Sequence, residues 1–192
     1  MESVSEGLPK YSRISKLGIK YEKIANLHCF LFDKNGVPRY CIGPHWPFFV
    51  GLNSFFVILA LLFIFVICPT VGDLDTFCGV IIFGFLIGSY TLAALVNPGI
   101  CYNFSGDQEM EISNSLAAER YCERCEIVKN ARTTHCDECG VCIDEYDHHC
   151  PWTSKCIGKN NLIFFYGFLI GLLCTFIFVI VTMSLKTRFE HK

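Results

Sequence analysis

Between Cys122 and Cys156 the chain reads CERCEIVKNARTTHCDECGVCIDEYDHHCPWTSKC. Seven of the thirteen cysteines and three of the six histidines of the 192-residue sequence fall in this stretch. Short Cys-x2-Cys steps interleaved with His are the spacing that tetrahedral zinc sites require. Two closed structural sites take about eight ligands, and ten Cys and His side chains are present. One thiol and one imidazole are therefore in surplus. They fall in Asp147-His148-His149-Cys150, where an acid, two imidazoles and a thiol are contiguous. A thiol beside an imidazole can act as a nucleophile–base pair, since the thiolate is the reactive form.

The interleaved order divides the ligands into two crossing sets of three Cys and one His each. Cys122, Cys125, His135 and Cys142 form one, and Cys136, Cys139, His149 and Cys156 the other. Asp147, His148 and Cys150 remain. His148 is then the base that takes the thiol proton, and Asp147 fixes its tautomer and orientation. Zinc also answers a folding question. The loop of about 65 residues lacks long periodic apolar segments and has too little core to fold alone. Structural zinc supplies folding free energy on the order of 10 kcal/mol.

The elements that position this loop are apolar. Hydrophobic residues make up 52% of the chain, Phe alone contributes 18, and the mean hydropathy is +0.41. Residues 48–68 and 77–96 carry no charge, and neither do residues 162–185. Each run is near the ~20 residues that cross a bilayer as a helix. Trp46 reads as an interfacial anchor and Pro69 as the end of the first span. The short 69–76 connection makes the first two spans an antiparallel hairpin, and Gly79, Gly84 and Gly88 suggest close helix packing. Residues 97–161 form the loop that holds the cysteine-rich domain (122–156), with a short helix expected around 113–120. Residues 186–192 are the tail. The expected fold is thus a multi-pass α-helical membrane protein. A small zinc-stabilised domain of short β-hairpins lies between its second and third helices.

Residues 1–47 read as a basic, solvated arm with seven Lys/Arg against four acids. Asp33-Lys34-Asn35-Gly36 suggests a tight hairpin turn. Cys29 and Cys41 are noted as lipidation candidates near the membrane. His28 and His45 lack ligand spacing and read as surface residues. Arm and loop share one side of the membrane, because two spans separate them. Together they carry thirteen Lys/Arg against three in the tail and none in the 69–76 connection. The positive-inside rule puts them in the cytoplasm, which is reducing and keeps thiols free. Cys150 then sits about a dozen residues before the third span, at the lipid boundary. From there it can meet an acyl thioester whose tail lies in the bilayer, which points to ping-pong acyl transfer.

The stretch resembles the DHHC-type protein S-acyltransferases (palmitoyltransferases). The resemblance runs from Cys122 to Phe165 and includes Asp147-His148-His149-Cys150-Pro151-Trp152, Cys156, Gly158, Asn161 and Phe165. It implies that Cys150 accepts a fatty acyl group, chiefly palmitoyl, from acyl-CoA and passes it to cysteines of membrane-associated proteins. Asp147 and His148 assist, and His149 binds one of two structural Zn2+ ions. It also implies residence in an endomembrane (Golgi or endoplasmic reticulum) or the plasma membrane. There are departures. Asn97-Pro98-Gly99 stands where the family has Asp-Pro-Gly, and Thr153-Ser154-Lys155 replaces an apolar-Asn/Asp-Asn run. The family has a fourth span followed by Thr-Thr-x-Glu; this sequence stops after the third span. A truncated form, or a partner that supplies the missing helix, is expected on that ground.

The rival expectation is a catalytically impaired, membrane-anchored zinc scaffold. Nucleic-acid binding is excluded by charge: the loop has eleven acids against six Lys/Arg, the wrong sign for phosphate.

Overall fold

The computed structural model describes residues 12–14, 20–101 and 120–190. The expected short helix at 113–120 lies almost wholly outside the described residues. Among the described residues, three helices are long and apolar enough to cross a membrane. The first, α1 (Trp46–Leu62), carries Pro47 in its first turn, where no amide donor is needed. It runs on through a π turn at Phe63–Ile67 and a short 3-10 turn at Cys68–Thr70, where Pro69 breaks the ladder. The second, α2 (Asp73–Leu95), opens with Asp73 and Asp75, acids suited to a helix N-terminus. It stops because Val96 is extended, two residues ahead of Pro98. The third, α3, spans Leu162–Glu190.

The helices pack through aromatic side chains. Tyr90 on α2 is fully buried and touches Phe49 and Phe56 of α1 and Phe168 of α3, with ring centroids 5.6, 5.5 and 4.8 Å away. At the far end Thr182 of α3 donates to Asp75 at 3.0 Å, which satisfies a carboxylate among apolar helices. The outward faces keep large apolar side chains exposed, Phe65 and Ile163 among them. Gly79 does lie in a close approach, 3.2 Å from the Cys68 sulfur by its missing Cβ. Gly84 and Gly88 differ from expectation: nothing lies within 4 Å of their Cβ positions, and they line an open apolar groove with Phe85 and Ile170.

The segment read as a solvated arm is, where described, an antiparallel meander. Its strands are β1 (Ser12–Ile14), β2 (Lys20–Ile24), β3 (Leu27–Phe32) and β4 (Pro38–Ile42), in that order. Asp33 builds the β3–β4 turn, its carboxylate accepting from the Asn35 and Val37 amides at 2.8 and 2.9 Å. Charge counting failed here because strand alternation sorts the residues by face. Ile24, Leu27, Cys29 and Cys41 turn inward, while Lys23, Lys34 and Arg39 are exposed. Cys29 and Cys41 are fully buried cross-strand neighbours, sulfurs 2.8 Å apart, and so closed to lipidation enzymes in this fold.

The cysteine-rich region is a set of short ladders. β6 (Tyr121–Cys122) pairs with β7 (Ile127–Val128). β8 (Thr134–Cys136) pairs with β9 (Val141–Ile143), which also takes β5 (Ile100–Cys101) on its other edge. β10 (His148–Cys150) pairs with β11 (Lys155–Ile157). Ile100, Cys136, Cys139, Val141, Ile143 and Cys156 share one core with the inward face of the meander. Gly158 shows how tightly the loop folds back. A Cβ there would lie 2.7 Å from the Pro98 carbonyl oxygen.

Candidate active site and metal centres

The eight residues read as ligands gather into two groups. In each, one atom per residue lies within 4.8 Å of all the others. His135 directs Nδ1 to the sulfurs of Cys122, Cys125 and Cys142 at 3.5, 3.3 and 3.7 Å. His149 directs Nδ1 to Cys136, Cys139 and Cys156 at 3.4, 3.5 and 3.6 Å. A tetrahedral zinc with bonds of about 2.3 Å to sulfur and about 2.0 Å to nitrogen separates its ligand atoms by roughly 3.5–3.8 Å. Both groups of three Cys and one His therefore fit zinc. Burial lowers the pKa of His149, with His45 adding to the effect, which favours the neutral ring that a metal ligand requires. The Cys125 thiol is pulled down to about 5, first by the Cys142 thiol and then by His135, against burial.

Strand geometry explains why neighbouring residues serve different groups. Successive side chains of a strand point to opposite faces. On β8, His135 goes to the first group and Cys136 to the second. On β10, His149 turns to the second group, which puts His148 and Cys150 on the other face. There His148 Nδ1 lies 2.8 Å from an oxygen of Asp147. Its ring meets Phe165 of α3 edge-on at 5.1 Å. His148 is half-exposed, whereas Cys150 is buried, only 7% accessible. Immediately beyond, Pro151–Thr153 forms a 3-10 turn that ends on Ser154 in the left-handed region, φ 73°.

Several side chains outside the two ligand sets hold this hairpin and its surroundings. Tyr90 donates its hydroxyl to the Trp152 carbonyl. Lys155 is fully buried and donates its ammonium to the Ala94 carbonyl and, at 3.3 Å, to that of Ala93, at the C-terminus of α2. A cation suits that end of the helix dipole. Burial nevertheless pushes the Lys155 pKa down to about 8. Asn161 donates to the Ala93 and Cys156 carbonyls at 2.9 and 3.1 Å and accepts from the Gly158 amide at 2.9 Å. Asn97 accepts from the Gly99 and Ile100 amides and donates to the Pro38 carbonyl at 2.7 Å. An aspartate could make the first two contacts but not the third. His45, read as a surface residue, lies with Nδ1 3.1 Å from His149 Nε2. Of these residues only Asn97, Lys155 and Asn161 left a sequence signal, as departures from or matches to a motif. His45 and Tyr90 left none.

The fold and site define a class: a bundle of helices of membrane-spanning length bearing a cysteine-rich hairpin domain with two metal-binding groups. Comparison narrows it. Residues 115–191 match the family model described as DHHC palmitoyltransferase. The resemblance drawn from Cys122 to Phe165 lies inside that match. Palmitoyltransferase ZDHHC18-B of Danio rerio is 42% identical over 83 residues, 42% of this chain and 21% of the relative. Palmitoyltransferase ZDHHC18 of Homo sapiens is 39% identical over 83 residues, 42% and 21% of the two chains. Palmitoyltransferase ZDHHC8 of Drosophila melanogaster is 36% identical over 106 residues, 49% and 11% of the two. The matched region thus spans about a fifth or less of these relatives.

Proposed function

We propose that the chain is a protein S-acyltransferase that carries a long-chain acyl group, palmitoyl above all, on Cys150. The donor is acyl-CoA and the acceptors are cysteines of membrane-associated proteins. The observation that carries this reading is the division of labour on β10. His149 faces three thiols, while His148 stands on the opposite face with Nδ1 held 2.8 Å from Asp147. With Nδ1–H directed to the carboxylate, Nε2 of His148 is the free base. It takes the Cys150 proton. The thiolate attacks the thioester carbonyl of acyl-CoA, the carbon–sulfur bond to CoA breaks, and the CoA thiolate leaves with the proton from His148. In the second half His148 deprotonates the acceptor cysteine, whose sulfur attacks acyl-Cys150. The Cys150 thiolate departs and is reprotonated. One thioester replaces another in each half, so no external energy source is needed.

Cys122, Cys125, His135 and Cys142 would hold one zinc, and Cys136, Cys139, His149 and Cys156 a second. Bound there, zinc supplies cross-links that stabilise the fold, and local positive charge. The three helices are read as crossing a bilayer, in an endomembrane or the plasma membrane, with the meander and the cysteine-rich loop cytoplasmic. An apolar cleft of about 430 Å³, lined by Phe48, Leu52, Phe55 and Trp152, adjoins the hairpin and suits an acyl tail.

The test is labelling of the purified chain with a reporter acyl-CoA. Hydroxylamine-sensitive label on wild type, absent from Cys150→Ser, is the expected result. No label on a chain that holds two zinc ions overturns it in favour of a zinc scaffold.

A further inference from the structure

His45 is the last residue before α1, and its place is fixed by backbone as well as side chain. Its amide donates to the Ser154 carbonyl at 3.3 Å. Two residues earlier the Gly43 amide donates to Ser154 Oγ at 3.2 Å. A Cβ at Gly43 would overlap the Ser154 carbonyl oxygen and lie 2.6 Å from Lys155 Cβ, so only glycine permits this approach. Residues 43–45 are thereby seated on the β10–β11 hairpin. The seat brings the His45 ring to 5.1 Å from that of His149, edge-on, with Nδ1 3.1 Å from Nε2.

The tautomers follow from this geometry. His149 Nδ1 faces three sulfurs, so it carries the lone pair and Nε2 carries the proton. That N–H needs an acceptor, and His45 Nδ1 is in line to be one. The contact needs the lone pair on His45 Nδ1. The other group lacks this device. His135 Nε2 is buried with no hydrogen-bond partner among the described residues, and the Asp137 carboxylate stands off at 3.7 Å.

We propose that His45 is a positioning residue for the second metal group, fixing the tautomer and direction of His149 and tying that group to the start of α1. This rests on the zinc reading above. Partners that orient a metal-bound histidine typically change metal affinity about 10- to 100-fold when removed. They act on the ligand and touch neither substrate nor metal.

The experiment uses the full chain, zinc-loaded in detergent, with zinc release followed by a chromogenic chelator. Two equivalents are expected from wild type. His45→Phe keeps a ring against Phe48 but cannot accept. One of its two equivalents should leave about 10-fold faster or more, with the other unchanged. His45→Asn, whose side-chain oxygen replaces Nδ1, should recover most of the loss. Cobalt substitution should show altered absorption bands for one site only. Wild-type release rates in His45→Phe overturn the proposal, as does an Asn variant no better than Phe. Should His45→Phe misfold, a histidine 1H–15N spectrum of the wild-type protein decides: a His45 ring protonated at Nδ1 overturns the assignment. A wild-type chain without zinc overturns the underlying reading, an outcome distinct from two bound ions that ignore His45.

Discussion

The two metal-binding groups contain the same side chains but are built into the molecule differently. The first joins the β6–β7 knuckle to the β8–β9 hairpin and packs with Ile127 and Cys101. The second joins the turn after β8 to the β10–β11 hairpin, inside the larger core shared with the meander. Its Cys136, Cys139 and Cys156 are 6%, 0% and 0% accessible, and Cys122, Cys125 and Cys142 of the first group 7%, 5% and 0%, so burial differs at one cysteine only. Its histidine is in hydrogen-bond reach of His45 on the far side of the ring, whereas His135 Nε2 has no hydrogen-bond partner among the described residues and faces the Asp137 carboxylate only at 3.7 Å. Identical ligand chemistry thus serves two ends. On the zinc reading, one group would brace the β6–β7 and β8–β9 ladders against each other. The other would clamp the strand carrying Cys150 against the three long apolar helices.

That contrast is open to attack. The largest expected effect comes from cutting the clamp or removing the sulfur it presents. Cys150→Ser should bring acyl labelling to background while both zinc ions remain. Cys156→Ala should remove one zinc and the labelling together, because the hairpin loses its anchor. Cys125→Ala in the first group should also remove one zinc and lower the melting temperature, yet retain measurable labelling. Equal loss of labelling in the two zinc-group variants would erase the distinction between them.

Next in size is the base. His148→Ala should slow labelling about 10²–10⁴-fold, the usual worth of a positioned general base. Asp147→Asn should slow it less, since the ring keeps its strand position and loses only the carboxylate at Nδ1. Zinc content should not change in either, as measured by metal analysis.

A third effect separates the groups by kinetics. Chelator should strip zinc in two phases, the faster from the first group, which lies outside the larger core and whose histidine has no hydrogen-bond partner at Nε2 among the described residues. In Cys125→Ser the fast phase should vanish. Survival of the fast phase would reverse the ranking.

The smallest effects concern the supports. Lys155→Met leaves the Ala94 carbonyl without its donor, whereas Ala93 keeps Asn161. One orphaned buried acceptor costs about 1–3 kcal/mol, partly offset because the ammonium need no longer be desolvated. A modest fall in melting temperature with labelling retained is expected. Asn97→Asp keeps two accepted amides and loses the bond to Pro38, for about 1 kcal/mol in the same measurement.

Much of this was written locally in the chain. Ligand count and spacing divided eight Cys and His into two sets, and the coordinates gather the same two sets. Runs without charge marked the three long apolar helices. Both signals are local, carried by composition, spacing or the period of an element. The meander stayed hidden because summed charge does not register which face of a strand each residue takes. Gly84 and Gly88 were read by type alone, and which face of a helix meets a neighbour is not a property of type.

The sequence alone determined how many thiols and imidazoles were available, which set each belonged to, and that a thiol and an imidazole were left over on one short strand. The tertiary structure decided what holds that strand. His45 and His149 are 104 positions apart, Tyr90 and Trp152 are 62 apart, and Lys155 reaches Ala94 across 61. Spacing carries information only where the chain's own geometry fixes distance, within a turn or a strand. Across a helix hairpin and a sheet, proximity is set by packing, and no residue count foretells which buried donor will find which acceptor.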